Sequence, residues 1–205
     1  LVFDQDGCIT VRGSGIRGVA IGSGDGGEII IHRGKYVIEL FGQEGVGIGA
    51  FNTDINFMIH DVNMYFNMHP AKNVAIGSFA GNVKVVISRA LFRCVSGGIL
   101  STGIGTLFGE TADVAIDHAN VSMDMRANKL SALGMATKET NVDLRDVGFR
   151  VKSEGKEAVS CGNIERKGTV KFINCDVDSI VKNGLDYDIG VEEEKWQLHS
   201  RSRKG

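Results

Sequence analysis

The sequence predicts an all-β chain wound as a parallel β-helix, with six to seven coils of about 28 residues. Three observations carry that prediction. Glycine returns at Gly22, Gly49, Gly77, Gly105, Gly134, Gly162 and Gly190, at intervals of 27 to 29 residues. Each is preceded by Ile21, Ile48, Ile76, Ile104, Leu133, Cys161 or Ile189, and in six of the seven a small residue stands one place earlier (Ala20, Gly47, Ala75, Gly103, Ala132, Ser160; Asp188 breaks the pattern). Between the glycines, short stretches alternate apolar and polar residues, the period of strands rather than helices. Strands this short bury an apolar face only when the same column of successive coils forms one ladder. Coils spaced ~4.8 Å apart would make a rod on the order of 30 Å long.

The elements follow in order along the chain. The stretch before the first full coil, residues 1–18, supplies an irregular strand and an N-terminal cap or partial coil, and the solenoid is expected over 1–190. In every coil the small-small-Ile-Gly strand points its Ile inward. Its small residue is expected outward or crowded at a corner, and its Gly turns the corner, where positive φ is cheap only for glycine. A second block aligns on Ile29, Ile55, Val83, Val114, Val142 and Val170 as its first column. The third column is Ile31, Phe57, Val85, Ile116, Leu144 and Phe172, and the eighth is Tyr36, Val62, Ala90, Val121, Phe149 and Val177. Turn formers precede the block: Glu28, Asp54, Asn82, Asp113, Asn141 and Thr169. They are expected to make a hydrogen-bonded turn ladder, with Ca²⁺ binding the alternative. Residues 191–205 form a C-terminal cap or linker, with Trp196 and Leu198 placed to cover the last coil.

Composition narrows the classes. With 23 basic and 25 acidic residues the net charge is −2, which argues against a nucleic-acid module. The 28 glycines with a single proline point to an ordered, turn-rich chain rather than a linker. No stretch approaches the ~20 apolar residues of a membrane-spanning helix. Cys8, Cys94, Cys161 and Cys175 show no C-x-x-C or zinc spacing, so free and mostly buried thiols are expected, which favours a reducing, cytoplasmic setting over the cell surface. The sequence begins at Leu1 and shows no signal peptide, so a piece of a larger protein is expected.

The segments "GVGIGAFNTDINFMIHDVNMYF" and "GVAIGSGDGGEIIIHRGKYVIEL" resemble the G-x-G-I-G and I-T-I-x-G-G β-helix repeats of bacterial, especially Firmicute, surface and modular proteins. The resemblance runs from Ile16 to about Gly190. The glycine pair of that repeat survives only in part, at Gly34 and Gly148, and the Thr/Ser-rich outer surface is missing. The resemblance implies a right-handed helix and a binding, adhesion or sensory module rather than one activity.

Right-handed β-helices include polysaccharide lyases and hydrolases, which gather carboxylates on one outward face. The outward ninth column (Val37, Asn63, Leu91, Ser122, Arg150, Asp178) and eleventh column (Glu39, Tyr65, Arg93, Asp124, Lys152, Ile180) stack no acids. The nearest cluster is Asp117, His118, Asp143, Asp146 and Asp176, a candidate cation or acid/base face weighed against alternating charge on a solvated surface. "GSGDGG" lacks the Lys-Ser/Thr pair of a phosphate loop and is a coil turn. Met58, Ile59, Val86 and Ile87 fall where other coils carry charge, and with Phe51 and Phe79 they would form an apolar interaction patch. Tyr65 and Trp196 are candidate sugar-stacking rings. No cofactor and no catalytic residue are expected. The function expected is a non-catalytic binding or regulatory module, acting on a protein partner or a second copy through that patch. Carbohydrate binding is the alternative, and a lyase or hydrolase ranks below both.

Overall fold

The computed structural model describes residues 1–24, 26–185 and 187–192, together with the backbone of 196–199. It is a parallel β-solenoid of about seven turns, with no helix among the described residues. Every strand pairing among the described residues is parallel and joins segments one coil apart. No described helix is long and apolar enough to cross a membrane.

The strands, numbered in chain order, stack into three walls. The first wall holds β1 (Val2–Asp4), the start of β3 (Gly27–Ala50), the start of β4 (Ile55–Met68), β6 (Val83–Ser88), β8 (Thr111–Asp117), β10 (Glu139–Arg145), β13 (Gly168–Ile173) and β16 (Trp196–His199). The second continues β3 and β4 and adds β2 (Cys8–Gly22), β7 (Leu91–Thr106), β9 (Asn120–Met135), β11 (Gly148–Glu154) and β14 (Asp176–Lys182). The third is built from the ends of β2, β3, β7 and β9 with β5 (Lys72–Ser78), β12 (Glu157–Gly162) and β15 (Ile189–Gly190). β1 and β2 lie in register on β3, so the N-terminal stretch is itself a coil of the stack.

Alternation puts every second side chain of the first two walls into one continuous core. Ile29, Phe57, Val85, Val114, Val142 and Val170 form one ladder, and Ile31, Ile59, Ile87, Ile116, Leu144 and Phe172 the next, all almost fully buried. Burying such a side chain is worth about 1.5–3 kcal/mol, so the ladders are the main source of stability.

This register corrects the sequence alignment at two steps. Ile55 pairs with Gly27, not Ile29, and Val83 pairs with Ala112, not Val114. Both slips are two residues, and a two-residue shift keeps each side chain on its own side of the strand. In the first two walls the inward residues are therefore those the alternation predicts, while their ladders differ by two residues at these steps.

The third wall departs further from simple alternation. The inward Ile48, Ile76, Ile104 and Leu133 and the small residues before them all pack into the main core. Of the two expectations for these small residues, outward or crowded, the structure shows crowding: they face inward, where space is short. A Cβ on Gly47 would come within 2.9 Å of the Phe66 ring, and one on Gly103 within 2.6 Å of Met123 Sδ. The outer face of this wall is covered too. Val46, Val74, Phe79, Leu107 and Met135 form a second cluster with Phe51, Leu100 and Ile164 against it. The recurrent glycine serves close approach as well as a turn. A Cβ on Gly49 would overlap the carbonyl oxygen of Gly77, and one on Gly77 that of Gly105, with φ near +149° and +143°.

The turns hold by side-chain ladders, as expected. Asn82 accepts the amides of Glu110 and Thr111, while its own amide reaches Asp54 Oδ1 at 2.8 Å. The Asn141 amide donates to Asp113 and Thr169 Oγ1 donates to Asn141. Buried Asn73 gives its amide hydrogens to the Pro70 and Gly97 carbonyls and accepts from Ser96 and Ser101, so both ends of its side-chain amide are satisfied.

Candidate functional site

Since the inner faces are filled by core, chemistry is confined to outward columns and corners. The outward column of the second wall, in the true register, is Val37, Tyr65, Arg93, Ser122, Arg150 and Asp178. Beside it run Glu39, Asn67, Val95, Asp124, Lys152 and Ile180. The two columns border a shallow groove of about 400 Å³ along the solenoid axis, from Arg93 to Asp178. Tyr65 stands just beyond its end as a half-buried ring, with Lys35 Nζ 5.2 Å and the Arg93 guanidinium 5.8 Å from its centroid. Arg150 reaches Asp176 at 3.1 Å. Among the described residues no carboxylate lies within 4.0 Å of Arg93, Lys152 or Lys35, so these cations are uncompensated.

A smaller groove of about 220 Å³ crosses the first wall between Lys84, Asp113, Asn141, Thr169, Asp143 and Lys171. It has no aromatic ring. Asp143 within it is clamped by Arg145 at 3.0 and 2.9 Å, and that hydrogen-bonded pair holds its carboxyl below the usual range.

The corner between these walls carries a further ladder. Arg33, Asp61, Arg89, His118, Asp146 and Asn174 occupy equivalent positions, each left-handed with φ between 48° and 58°. Their side chains pair along the axis: Arg33 with Asp4 at 2.7 Å and Arg89 with both Asp61 oxygens at 2.7 and 2.8 Å. Hydrogen bonding from Arg89 lowers the pKa of Asp61. At the next positions His118 Nδ1 lies 2.7 Å from Asp117, and its Nε2 lies 3.8 Å from Asp146. One residue earlier His32 and His60 stack with centroids 5.5 Å apart, and His60 Nδ1 meets Ser88 Oγ at 2.6 Å. Burial, with help from His32 and Arg89, pushes the pKa of His60 down.

Of the acid/base face expected from sequence, the structure assembles Asp117, His118 and Asp146. It leaves Asp143 with Arg145 on the first wall and Asp176 with Arg150 on the second. The apolar patch is not a surface. Ile59 and Ile87 are core residues at 0 % and 2 % exposure, and Phe79 at 6 % belongs to the cluster over the third wall. The Phe51 ring lies tilted against Phe79 with centroids 5.0 Å apart, leaving Met58 exposed and Val86 half-buried on the first wall. The register explains this. Met58 pairs with Ile30 and Ile59 with Ile31, so these four residues occupy ordinary strand positions rather than the turn. The side chain of Trp196, and any cover it provides, lies outside the described residues.

The same slip hid the second-wall column. It had placed Tyr65 and Arg93 in a different column from Ser122 and Arg150. A signal was present: Ile29, Phe57, Val85, Val114, Val142 and Val170 all follow their repeat glycine by seven to nine residues. Taking the inward residue nearest to eight places after each glycine selects Phe57 and Val85 over Ile55 and Val83, as the true register does. A comparison of the chain with protein-family models, curated proteins and solved structures finds no match in any of the three.

Proposed function

We propose that this protein is a non-catalytic binding module whose second wall holds an extended acidic polysaccharide. The observation that carries the proposal is the single outward column Tyr65, Arg93, Ser122 and Arg150, one side chain per coil along a groove. A guanidinium fork suits a uronate carboxylate. The Tyr65 ring offers a flat apolar face to a sugar, and Ser122 and Asp124 can exchange hydrogen bonds with its hydroxyls. Arg93 and Arg150 are two coils apart, about 9.6 Å, close to the disaccharide repeat of an extended chain. The likeness to bacterial surface repeats, whose members look like binding and adhesion modules, supports the same class of function. The clamping of Asp143 by two hydrogen bonds from Arg145 speaks for binding rather than acid/base work at that position.

Affinity electrophoresis in gels containing polygalacturonate or neutral dextran tests this. Retardation by polygalacturonate alone is expected, weakening with salt, lost in the Arg93→Ala/Arg150→Ala double variant and kept in Lys84→Ala on the first wall. No retardation, or equal retardation of all variants, would overturn it.

A second reading has its own observation. The outer edge of β1 and β2 is unpaired among the described residues, and Val2 and Ile16 beside it are 65 % and 74 % exposed. An open edge is a template for another strand, so a second copy or a protein partner could add a coil there. Sedimentation at rising concentration tests self-association; a constant monomer mass would count against it.

A further inference from the structure

We infer that the corner formed by Asp117, His118 and Asp146 is a binding site for a first-row divalent cation such as zinc. The corner ladder shows why it differs from its neighbours. Arg33 is matched by Asp4, Arg89 by Asp61, and Arg145 by Asp143. At this step two carboxylates face one imidazole, and among the described residues the Asp146 carboxylate has no partner but His118. Arg89 and Arg145 flank the corner, but each is already committed to its own aspartate.

The geometry divides the roles. The 2.7 Å contact makes Asp117 the acceptor of an Nδ1–H and leaves the His118 Nε2 lone pair free. A carboxylate that orients a histidine in this way is a recurrent support of metal ligands. Nε2 and Asp146 Oδ2, 3.8 Å apart, are too far for a hydrogen bond. Metal bonds of about 2.0–2.2 Å from each would bridge that gap. One donor atom from each of the three residues lies within 4.8 Å of the others; Asp117, on the Nδ1 side of the ring, is the orienting group, and water completes the shell around Nε2 and Asp146. An imidazole with carboxylates selects zinc and its first-row neighbours over Ca²⁺ and Mg²⁺, which prefer all-oxygen shells. Rigid β pairing on both sides fixes the two coils, so the site needs no folding on binding.

Titration calorimetry of the full chain with zinc near pH 7 tests the inference, in a Cys8→Ser background because Cys8 is an exposed thiol. Asparagine tolerates the left-handed corner, as Asn174 shows one coil on, so His118→Asn and Asp146→Asn keep the fold, which circular dichroism checks. One saturable zinc site is expected, with no comparable uptake of Ca²⁺. Affinity should fall at least tenfold in His118→Asn and in Asp146→Asn, and about 10–100-fold in Asp117→Asn. The His118 ring signals in NMR should shift at substoichiometric zinc. Absence of saturable uptake, or undiminished uptake by His118→Asn, would overturn the site.

Discussion

Two adjacent residues, Met58 and Ile59, show how sharply the fold separates its side chains. Met58 is 39 % exposed and Ile59 fully buried. Ile59→Ala is expected to cost about 2–5 kcal/mol, and Met58→Ala no more than about 0.5 kcal/mol. Urea unfolding of the pair checks this, and comparable losses at the two positions would contradict the register. Gly77 is a stricter case, since its Cβ would overlap the Gly105 carbonyl of the next coil at a φ that side chains avoid. Gly77→Ala should cost about 1–3 kcal/mol from overpacking alone, whereas Gly24, with open space around its Cβ position, should accept alanine with little effect. His60 gives a pH dependence with a definite sign. Its folded pKa lies below the unfolded value of about 6.5, so the unfolded chain binds the extra proton. The stability that neutral His60 contributes is complete above that pH and is lost as pH falls through the folded pKa. Denaturation midpoints in the wild type should decline on acidification below about pH 6.5 more steeply than in His60→Gln.

At the scale of the element, what was legible in the sequence was the period and the inward set. Strand alternation marks Ile29, Phe57, Val85 and their equivalents whatever the register, because a two-residue slip conserves the face. The site was not legible for the same reason. Outward residues carry no burial signal, so only an anchor fixes which of them share a column, and aligning β-branched residues with one another displaced Tyr65 and Arg93 from Ser122 and Arg150. The third wall was misjudged on other grounds. Its small residues signal crowding, but the sequence does not say that Phe51, Phe79 and Leu107 fold back over its outer face and bury it on both sides. The corners were hidden because Arg33, Asp61, Arg89 and His118 take a left-handed turn that glycine or asparagine would advertise and these residues do not.

For the molecule as a whole, stacking makes stability a sum over neighbouring coils. The core closes in the middle and opens toward the end, where the inward Val177 is 36 % exposed. Hydrogen exchange should therefore be slowest at the inward strands of β4, β7 and β9 and fastest in β1 and β14. The same one-dimensional plan gives the second wall its character, since each coil adds one outward side chain at a fixed rise. A ligand that lies along it must gain contacts with every added sugar. The most direct measurement is calorimetric titration with oligogalacturonates of increasing length. If the wall binds an extended acidic chain, affinity will rise stepwise with length, level off once the oligomer spans Tyr65 to Asp178, and fall in Arg93→Ala for the long oligomers more than for the short. An affinity that is independent of length, or undetectable at every length, would contradict a binding site on the second wall.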